Sequence, residues 1–189
     1  MNKKAGFTLI ELLIAIGLVG MIILAITAID VASRRFLNTT NYEAQVQSEA
    51  SPVVGRIVKD ISMAYGQSAN PGISITNTNR RITIRRLDDS PSTYDNFDDD
   101  PLVRYTYNIG QNDIAREASP CSGGAGCPSW GTAETIARNI EACAFTQGAD
   151  SIVTIDITAR RIADGSPVTF ENPRVILETS VFPRSSSLN

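Results

Sequence analysis

The sequence predicts an α+β protein, in which a long N-terminal helix, transmembrane in its first half, packs on an antiparallel β-sheet. Three observations support this prediction. A run of apolar residues from Phe7 to Ile29 contains a single charge, at Glu11. Further along, apolar residues recur at three- and four-residue spacing as far as Ala64, which is the period of an amphipathic helix. Beyond residue 80 the period changes to two, the period of half-buried strands.

The helix is predicted from about Thr8 to about Tyr65. Its apolar run is long enough to cross a membrane, because about 20 helical residues span about 30 Å of hydrocarbon. The turn at Asn70-Pro71-Gly72, with Gly66 before it, ends the helix. Pro52 removes one backbone hydrogen bond, and we expect a bend just before it. The stripe expected to be buried consists of Val46, Ala50, Val54, Ile57, Ile61 and Ala64.

Five strands are predicted after the helix. Three of them alternate apolar and polar residues, and two are apolar segments between turns rich in Gly, Pro, Asn and Asp. A sheet with one apolar face must cover that face, and the helix stripe from Ala50 to Ala64 is the expected cover. The predicted strands are Arg81–Arg85, Val103–Ile109, Ile140–Gln147, Val153–Ile157 and Arg174–Phe182.

These elements give a predicted domain organisation. Residues 1–6 form a leader peptide, residues 7–29 the transmembrane or assembly helix, and residues 30–66 its continuation on the head domain. Residues 67–184 form the antiparallel β head domain, and we expect residues 185–189 to be a disordered tail. The roughly 160 residues beyond the span suit one modest domain with its own core.

Glu11 is the most informative residue, because an ionisable side chain in a membrane segment is costly and indicates function. Directly before the apolar run stands the basic leader Lys3-Lys4-Ala5-Gly6. In residue type, order and spacing, this segment resembles the processing site of the type IV pilin and type II secretion pseudopilin superfamily. The resemblance covers the first thirty or so residues. It implies that a prepilin peptidase cuts after Gly6 and methylates Phe7, and that Glu11 pairs with the terminal amine of a neighbouring subunit.

The resemblance also implies a function and a location. The chain would be a minor pilin or pseudopilin without catalytic activity, assembled into or capping a type IV pilus or a type II secretion pseudopilus. Its partners would be other pilin or pseudopilin subunits, the prepilin peptidase and the bacterial inner membrane. A single pass would place the C-terminal domain in the periplasm before assembly. The orientation of the chain across the membrane is inferred from the motif. The positive charges do not decide it, because Lys3 and Lys4 before the span are balanced by Arg34 and Arg35 after it.

One departure from the family pattern favours a minor subunit. Many members carry a proline in the second half of the hydrophobic stretch, where this chain has Ala25-Ile26-Thr27-Ala28-Ile29. Two alternatives remain open. The N-terminal segment could be a plain signal anchor with Glu11 near the membrane interface, and the whole chain could be a single-pass, membrane-anchored periplasmic binding module.

Composition narrows the function further. The formal charge of −3 becomes −5 when the leader takes Lys3 and Lys4 with it, and this acidic balance argues against nucleic acid as a partner. The chain contains no histidine, the commonest general base and metal ligand. No nucleophile elbow, P-loop or paired-cysteine zinc spacing occurs either. The sequence therefore predicts that the protein is not an enzyme.

Three cysteines give one disulfide candidate. Cys121 and Cys127 flank a glycine-rich loop that could close on itself, and a bridge around so short a loop would contribute only about 2 kcal/mol. Cys143 lies in an apolar segment and is predicted to be a small core residue. A bridge from Cys143 to either of the other two stays open, because connectivity does not follow from sequence.

An acidic and a basic cluster could each be a binding site or simply a solvated surface. Clustered carboxylates can hold calcium, although their spacing here does not fit the Asp-x-Asp-x-Asp-Gly loop, and a solvated acidic run is the alternative. The calcium candidates are Asp95, Asp98, Asp99 and Asp100. A basic cluster could contact DNA, but it contains no aromatic residue, so a solvated strand face paired with the aspartates is favoured. Its members are Arg80, Arg81, Arg85 and Arg86.

Overall fold

The structure is a computed structural model that describes residues 8–66, 71–86, 100–120, 130–148 and 150–183. The chain forms two compact units, Met1–Asn41 and Tyr42–Asn189, and the second is called the head below. The predicted α+β class is confirmed, with one long helix and antiparallel sheets. In these ranges the elements are α1 (Leu9–Ser62), β1 (Ile73–Thr76), β2 (Arg81–Arg85), β3 (Leu102–Asn108), β4 (Asp113–Ser119), β5 (Glu134–Ala137), β6 (Ile140–Gln147), β7 (Val153–Arg160) and β8 (Arg174–Val181).

Helix α1 begins and ends close to its predicted limits. An acidic residue, Glu11, stands in its first turn and a basic one, Lys59, in its last, which suits the helix dipole at both ends. Pro52 lies inside α1, and the helix is continuous through it. It also runs without a break through Ile29, so the boundary between span and continuation at that residue stays a prediction.

The first unit exposes an apolar helix surface. Large apolar side chains from Leu9 to Leu37 are between 49% and 82% exposed. Among the described residues, α1 is the one helix long and apolar enough to cross a membrane by length and composition, and it lies near the N-terminus. An apolar surface this extensive needs lipid or other helices to cover it. The first unit is therefore consistent with a single membrane anchor.

The strands form two antiparallel sheets where the sequence predicts one. The five-stranded sheet has the order β1-β2-β3-β4-β5, and the three-stranded sheet has the order β6-β7-β8. The chain passes from one sheet to the other through the two-residue link Arg138-Asn139. Asn139 has a φ of 59°, a left-handed conformation that asparagine adopts more readily than most residues.

All five predicted strands are present, and three further strands were not predicted. Strands β1 and β5 have four residues each and lie at the two edges of the larger sheet, so their alternation is too short to recognise. Strand β4 has charged residues at Asp113, Arg116 and Glu117 and one large apolar residue, Ile114. It therefore lacks the alternation of apolar and polar residues that indicates a strand.

The head has one apolar core to which α1 and both sheets contribute. The helix covers the sheets with the predicted stripe as far as Ile61, except that Val53 is buried while Val54 is only half-buried. Ala64, the last residue of the predicted stripe, is buried just beyond the end of α1. Asp60 is also buried in this stripe. The innermost side chains are Ile57 and Ile61 of α1, Ile82, Ile84 and Tyr105 of the larger sheet, and Phe145, Ile155 and Ile157 of the smaller sheet.

Hydrogen bonds join the two sheets around β6. The Ile140 N–H donates to the Asn112 carbonyl at 2.9 Å, and the Phe145 N–H donates to the Asn79 carbonyl at 2.7 Å. The Tyr107 hydroxyl donates to the Glu141 carbonyl at 2.6 Å. The sheets are thus parts of one packed head.

Candidate functional site

The start of α1 is a capping box formed by Thr8 and Glu11. The Thr8 N–H and the Thr8 hydroxyl both donate to Glu11 Oε2, each at 2.9 Å. In return, the Glu11 N–H donates to Thr8 Oγ1 at 3.4 Å. This reciprocal pattern satisfies two of the backbone N–H groups that a helix start leaves without partners.

The capping box gives Glu11 a local role that the sequence analysis did not predict. The signal was available, because a Thr followed three residues later by Glu before an apolar run is a recognised helix start. Both capping bonds end on Oε2 of a carboxylate that is otherwise exposed. The two capping bonds do not use the other carboxylate oxygen, Oε1.

Several predicted site residues lie outside the described residues. These are the processing residues Gly6 and Phe7, the disulfide candidates Cys121 and Cys127, and the calcium candidates Asp95, Asp98 and Asp99. Asp100 is described, and it is buried, with 3% of its surface exposed. The described residues contain no group of three or more His, Cys, Asp or Glu placed to hold a metal ion. Calcium binding stays a prediction.

A cluster of polar side chains links α1 to the larger sheet through a hydrogen bond and an ion pair. Asp60 is 5% exposed and accepts a 2.6 Å hydrogen bond from the hydroxyl of the fully buried Tyr105 on β3. The Arg86 guanidinium lies 3.9 Å from the other Asp60 oxygen. Burial raises the pKa of Tyr105 well above 10, with the hydrogen bond and charge of Asp60 adding to the effect and Arg116 opposing it. Tyr105 therefore stays a neutral donor to the buried carboxylate.

A second cluster joins all three strands of the smaller sheet. The Glu141 carboxylate on β6 accepts hydrogen bonds from two arginines, Arg160 on β7 and Arg174 on β8. Arg160 places Nε 2.8 Å from Oε2 and donates from its NH2 group to Oε1 at 2.8 Å. Arg174 donates to the same two oxygens at 2.9 and 2.8 Å. Two-point contacts of this kind fix the orientation of both partners.

The arginines of the basic cluster at β2 contact different partners. Arg81 and Arg85 share one face with Thr83, while Ile82 and Ile84 point into the core, as the alternation predicts. Arg81 donates from Nε to the Thr106 hydroxyl at 3.2 Å. Arg86 has its ion pair with Asp60 on α1, a partner that the sequence did not suggest.

Cys143 is a buried free thiol, 5% exposed, as its apolar segment predicts. Burial raises its pKa to about 12, and the nearby Asp156 charge contributes. Such a thiol reacts slowly, because the thiolate is the reactive form.

These features describe a class of protein with a membrane-capable N-terminal helix, a capped and acidic helix start, and an α+β head. Residues 1–27 match a family model described as the prokaryotic N-terminal methylation motif, which is the prepilin-type signal of type IV pilins and pseudopilins. No curated protein and no solved structure matched the chain. The match supports a pilin-like precursor and, in general terms, cleavage by prepilin peptidase and assembly with pilin-type subunits.

Proposed function

We propose that the protein is a minor pilin or pseudopilin that is cut after Gly6, methylated on Phe7 and then assembled into or placed at the tip of a type IV pilus or type II secretion pseudopilus. The head lies in the periplasm until assembly. The observation that carries the proposal is the methylation motif over residues 1–27, which includes the beginning of the membrane-capable helix Leu9–Ser62. The families with this motif are structural, so the chain is expected to be a peptidase substrate without catalysis of its own.

Glu11 has the central role in the proposed assembly. Removal of the leader creates a terminal ammonium on Phe7, and in a packed group of helices this ammonium pairs with Glu11 of an adjacent subunit. The pair neutralises a carboxylate that would be costly in hydrocarbon. Since both capping bonds use Oε2, pairing through Oε1 leaves the helix start intact.

A minor role is favoured by the uninterrupted helix. The stretch from Ala25 to Ile29 lacks the proline that many members of the family carry, and α1 has its proline at position 52 instead. A proline in a helix interior removes a hydrogen bond and bends the helix, so subunits with and without it pack differently. This chain is therefore better suited to a special position in a filament than to the repeating lattice.

Processing is the first test. Co-expression with a prepilin peptidase should shorten the chain by six residues and leave N-methylated phenylalanine at its start, as measured by intact mass and N-terminal sequencing. Gly6→Ala should slow or block the cut, and Gly17→Ala, a glycine with open space around it, is the matched control. An uncut wild-type chain in a competent host would instead favour the single-pass, anchored binding module.

Two substitutions at Glu11 separate its two roles. Glutamine keeps an oxygen that can accept from Thr8, because Gln also forms capping boxes, but it has no charge for the ammonium. Glu11→Ala removes both functions. Cleavage should be normal in both variants, and recovery of the chain in sheared filament fractions should fall in both. Normal incorporation of Glu11→Gln would show that the cap alone matters and would refute the pairing role.

A further inference from the structure

Strand β8 is a long, unprotected sheet edge in the described part of the head. The larger sheet ends in β1 and β5, which have only four residues each. The smaller sheet ends in β6, whose backbone is bonded to Asn79 and Asn112, and in β8, which has eight residues. Long edges are commonly protected from pairing with another chain by a bulge, a proline or a lysine. Strand β8 contains none of these and pairs with β7 without a register shift.

One hydrogen bond on β7 shows which backbone groups of β8 face outward. The Arg160 N–H donates to the Asn139 carbonyl at 3.0 Å, on the β6 side of β7. Arg160 is paired with Arg174, so the N–H and C=O of Arg174 point away from β7. The same direction recurs at every second residue along β8. The outward-facing residues are Arg174, Ile176, Glu178 and Ser180, and within the described ranges no hydrogen bond reaches their backbone groups.

Two positions on β8 carry unbalanced charge of opposite sign. At the first, Arg160 and Arg174 share the single carboxylate of Glu141, which leaves one positive charge in excess. At the second, Glu178 lies directly opposite Asp156 on β7. Neither of these two carboxylates forms an ion pair with a described residue, and like charges opposite each other are unfavourable in a sheet. The edge therefore has a positive and a negative position that each lack a counter-charge.

A second copy of β8, running antiparallel, complements this edge. When Ile176 lies opposite Ile176 of the other copy, Arg174 of each copy lies opposite Glu178 of the other. These three positions all direct their backbone groups outward, so each pair can exchange both of its N–H···O=C bonds. Ile176, which is 65% exposed, gains an apolar neighbour at the two-fold axis. Pro173 has no N–H and ends the pairing on its side.

We propose that two heads associate through β8 in this register, which joins their smaller sheets into one six-stranded sheet with three strands from each copy. A second copy is the occupant because the charges of β8 complement themselves under a two-fold rotation. The proposal goes beyond the proposed function and does not depend on it. Normal cleavage at Gly6 without this contact would leave the filament-subunit proposal standing and remove the self-pairing.

The test is disulfide formation between full-length chains in membranes. Two copies with different tags both carry Ile176→Cys, and mild oxidation should join the tags through the introduced thiols. Paired residues of this kind have Cα atoms about 5.5 Å apart, within the range that a disulfide accepts. Ser180→Cys is the matched control, because it is exposed on the same strand but lies opposite residue 172 of the other copy. It should give only the background yield of the unsubstituted chain, as mapped by mass spectrometry.

Exchanging the two charges makes the test specific to the register. In the Ile176→Cys chain, Glu178→Arg brings arginines opposite each other, and Arg174→Glu brings carboxylates opposite each other. Each variant alone should reduce the yield about tenfold, which corresponds to about 1.4 kcal/mol. One copy of each variant restores both opposite-charge pairs, so the mixed yield should recover, and this recovery also shows that both variants fold.

Three results would overturn the proposal. Equal yields from Ile176→Cys and Ser180→Cys would exclude this register. A yield that does not change with Glu178→Arg would exclude the charge pairs, and this variant alters an exposed side chain without an ion pair to a described residue. Links from Ile176→Cys only to other proteins would show that the edge has a different occupant.

Discussion

The hydroxyl of Tyr105 donates a 2.6 Å hydrogen bond to Asp60, although the two residues are 45 positions apart in the chain. Tyr105 is fully buried, and Asp60 is the charged member of an otherwise apolar helix stripe. This bond fixes the position of α1 along the larger sheet, because a hydrogen bond requires a defined distance and angle. Apolar contacts alone would fix that position less well, since they have little directionality.

Tyr105→Phe is predicted to lower the free energy of unfolding by about 2 kcal/mol, because a buried carboxylate loses its strongest donor. Urea unfolding of the detergent-solubilised chain, followed by the fluorescence of its single tryptophan, Trp130, measures this loss. Tyr107→Phe is the matched control, since the Tyr107 hydroxyl donates to a neutral backbone carbonyl. Its expected cost is about 1 kcal/mol. Equal losses would contradict a special role for Asp60.

Glu141→Ala is predicted to destabilise the head by about 3 kcal/mol, because it leaves Arg160, a side chain only 6% exposed, without its anion. Arg174→Ala removes the other partner of the same carboxylate. Arg174 is 42% exposed, so this variant should cost less than about 1 kcal/mol. The same urea titration compares the two. A loss for Glu141→Ala no greater than that for Arg174→Ala would show that burial of Arg160 does not matter.

Gly72→Ala is predicted to destabilise the head by about 2 kcal/mol through overpacking. An added Cβ would lie 2.8 Å from the backbone carbon and oxygen of Tyr65, and backbone cannot move aside as a side-chain end can. Gly55→Ala makes the same chemical change in open space on α1. It should stabilise by about 1 kcal/mol, because alanine is the better helix former. Opposite signs in thermal melts support the close approach, and equal signs refute it.

Cys143 is predicted to make stability fall at alkaline pH. Burial raises its pKa from 9.0 to about 12, so the unfolded chain loses the proton first as pH rises. Its contribution is complete below pH 9 and is lost as pH rises towards 12. Cys143→Ala should therefore lose less stability than the wild type between pH 9 and pH 11, by at most about 1.4 kcal/mol per pH unit. Parallel curves for the two chains would exclude this effect.

How far the sequence predicts this structure depends on the range of each interaction. The long helix and the five predicted strands are marked by apolar periods and turn residues within short segments, so they could be predicted from the local sequence. The burial of Asp60 had a partial signal, because it lies at helical spacing with Ile57 within the stripe. Its partner Tyr105 could not be assigned, since that contact depends on how distant elements meet.

The division into two sheets could not be predicted from the sequence either. It depends on the left-handed Asn139 in a two-residue link and on hydrogen bonds around β6, neither of which alters the local apolar period. Thr8 and Glu11 are the opposite case, since their spacing defines a local motif that pattern analysis can detect.

The capping box has a consequence for the timing of maturation. Its bonds begin at the Thr8 amide, which lies on the retained side of the proposed cut and remains an amide afterwards. The helix start is therefore already complete in the full-length chain, and the proposed cut would change the charge next to it without removing a residue of the cap. Under the proposed function, a subunit with a complete helix start stays in the membrane and cannot pair with its neighbours until cleavage supplies the terminal ammonium of Phe7.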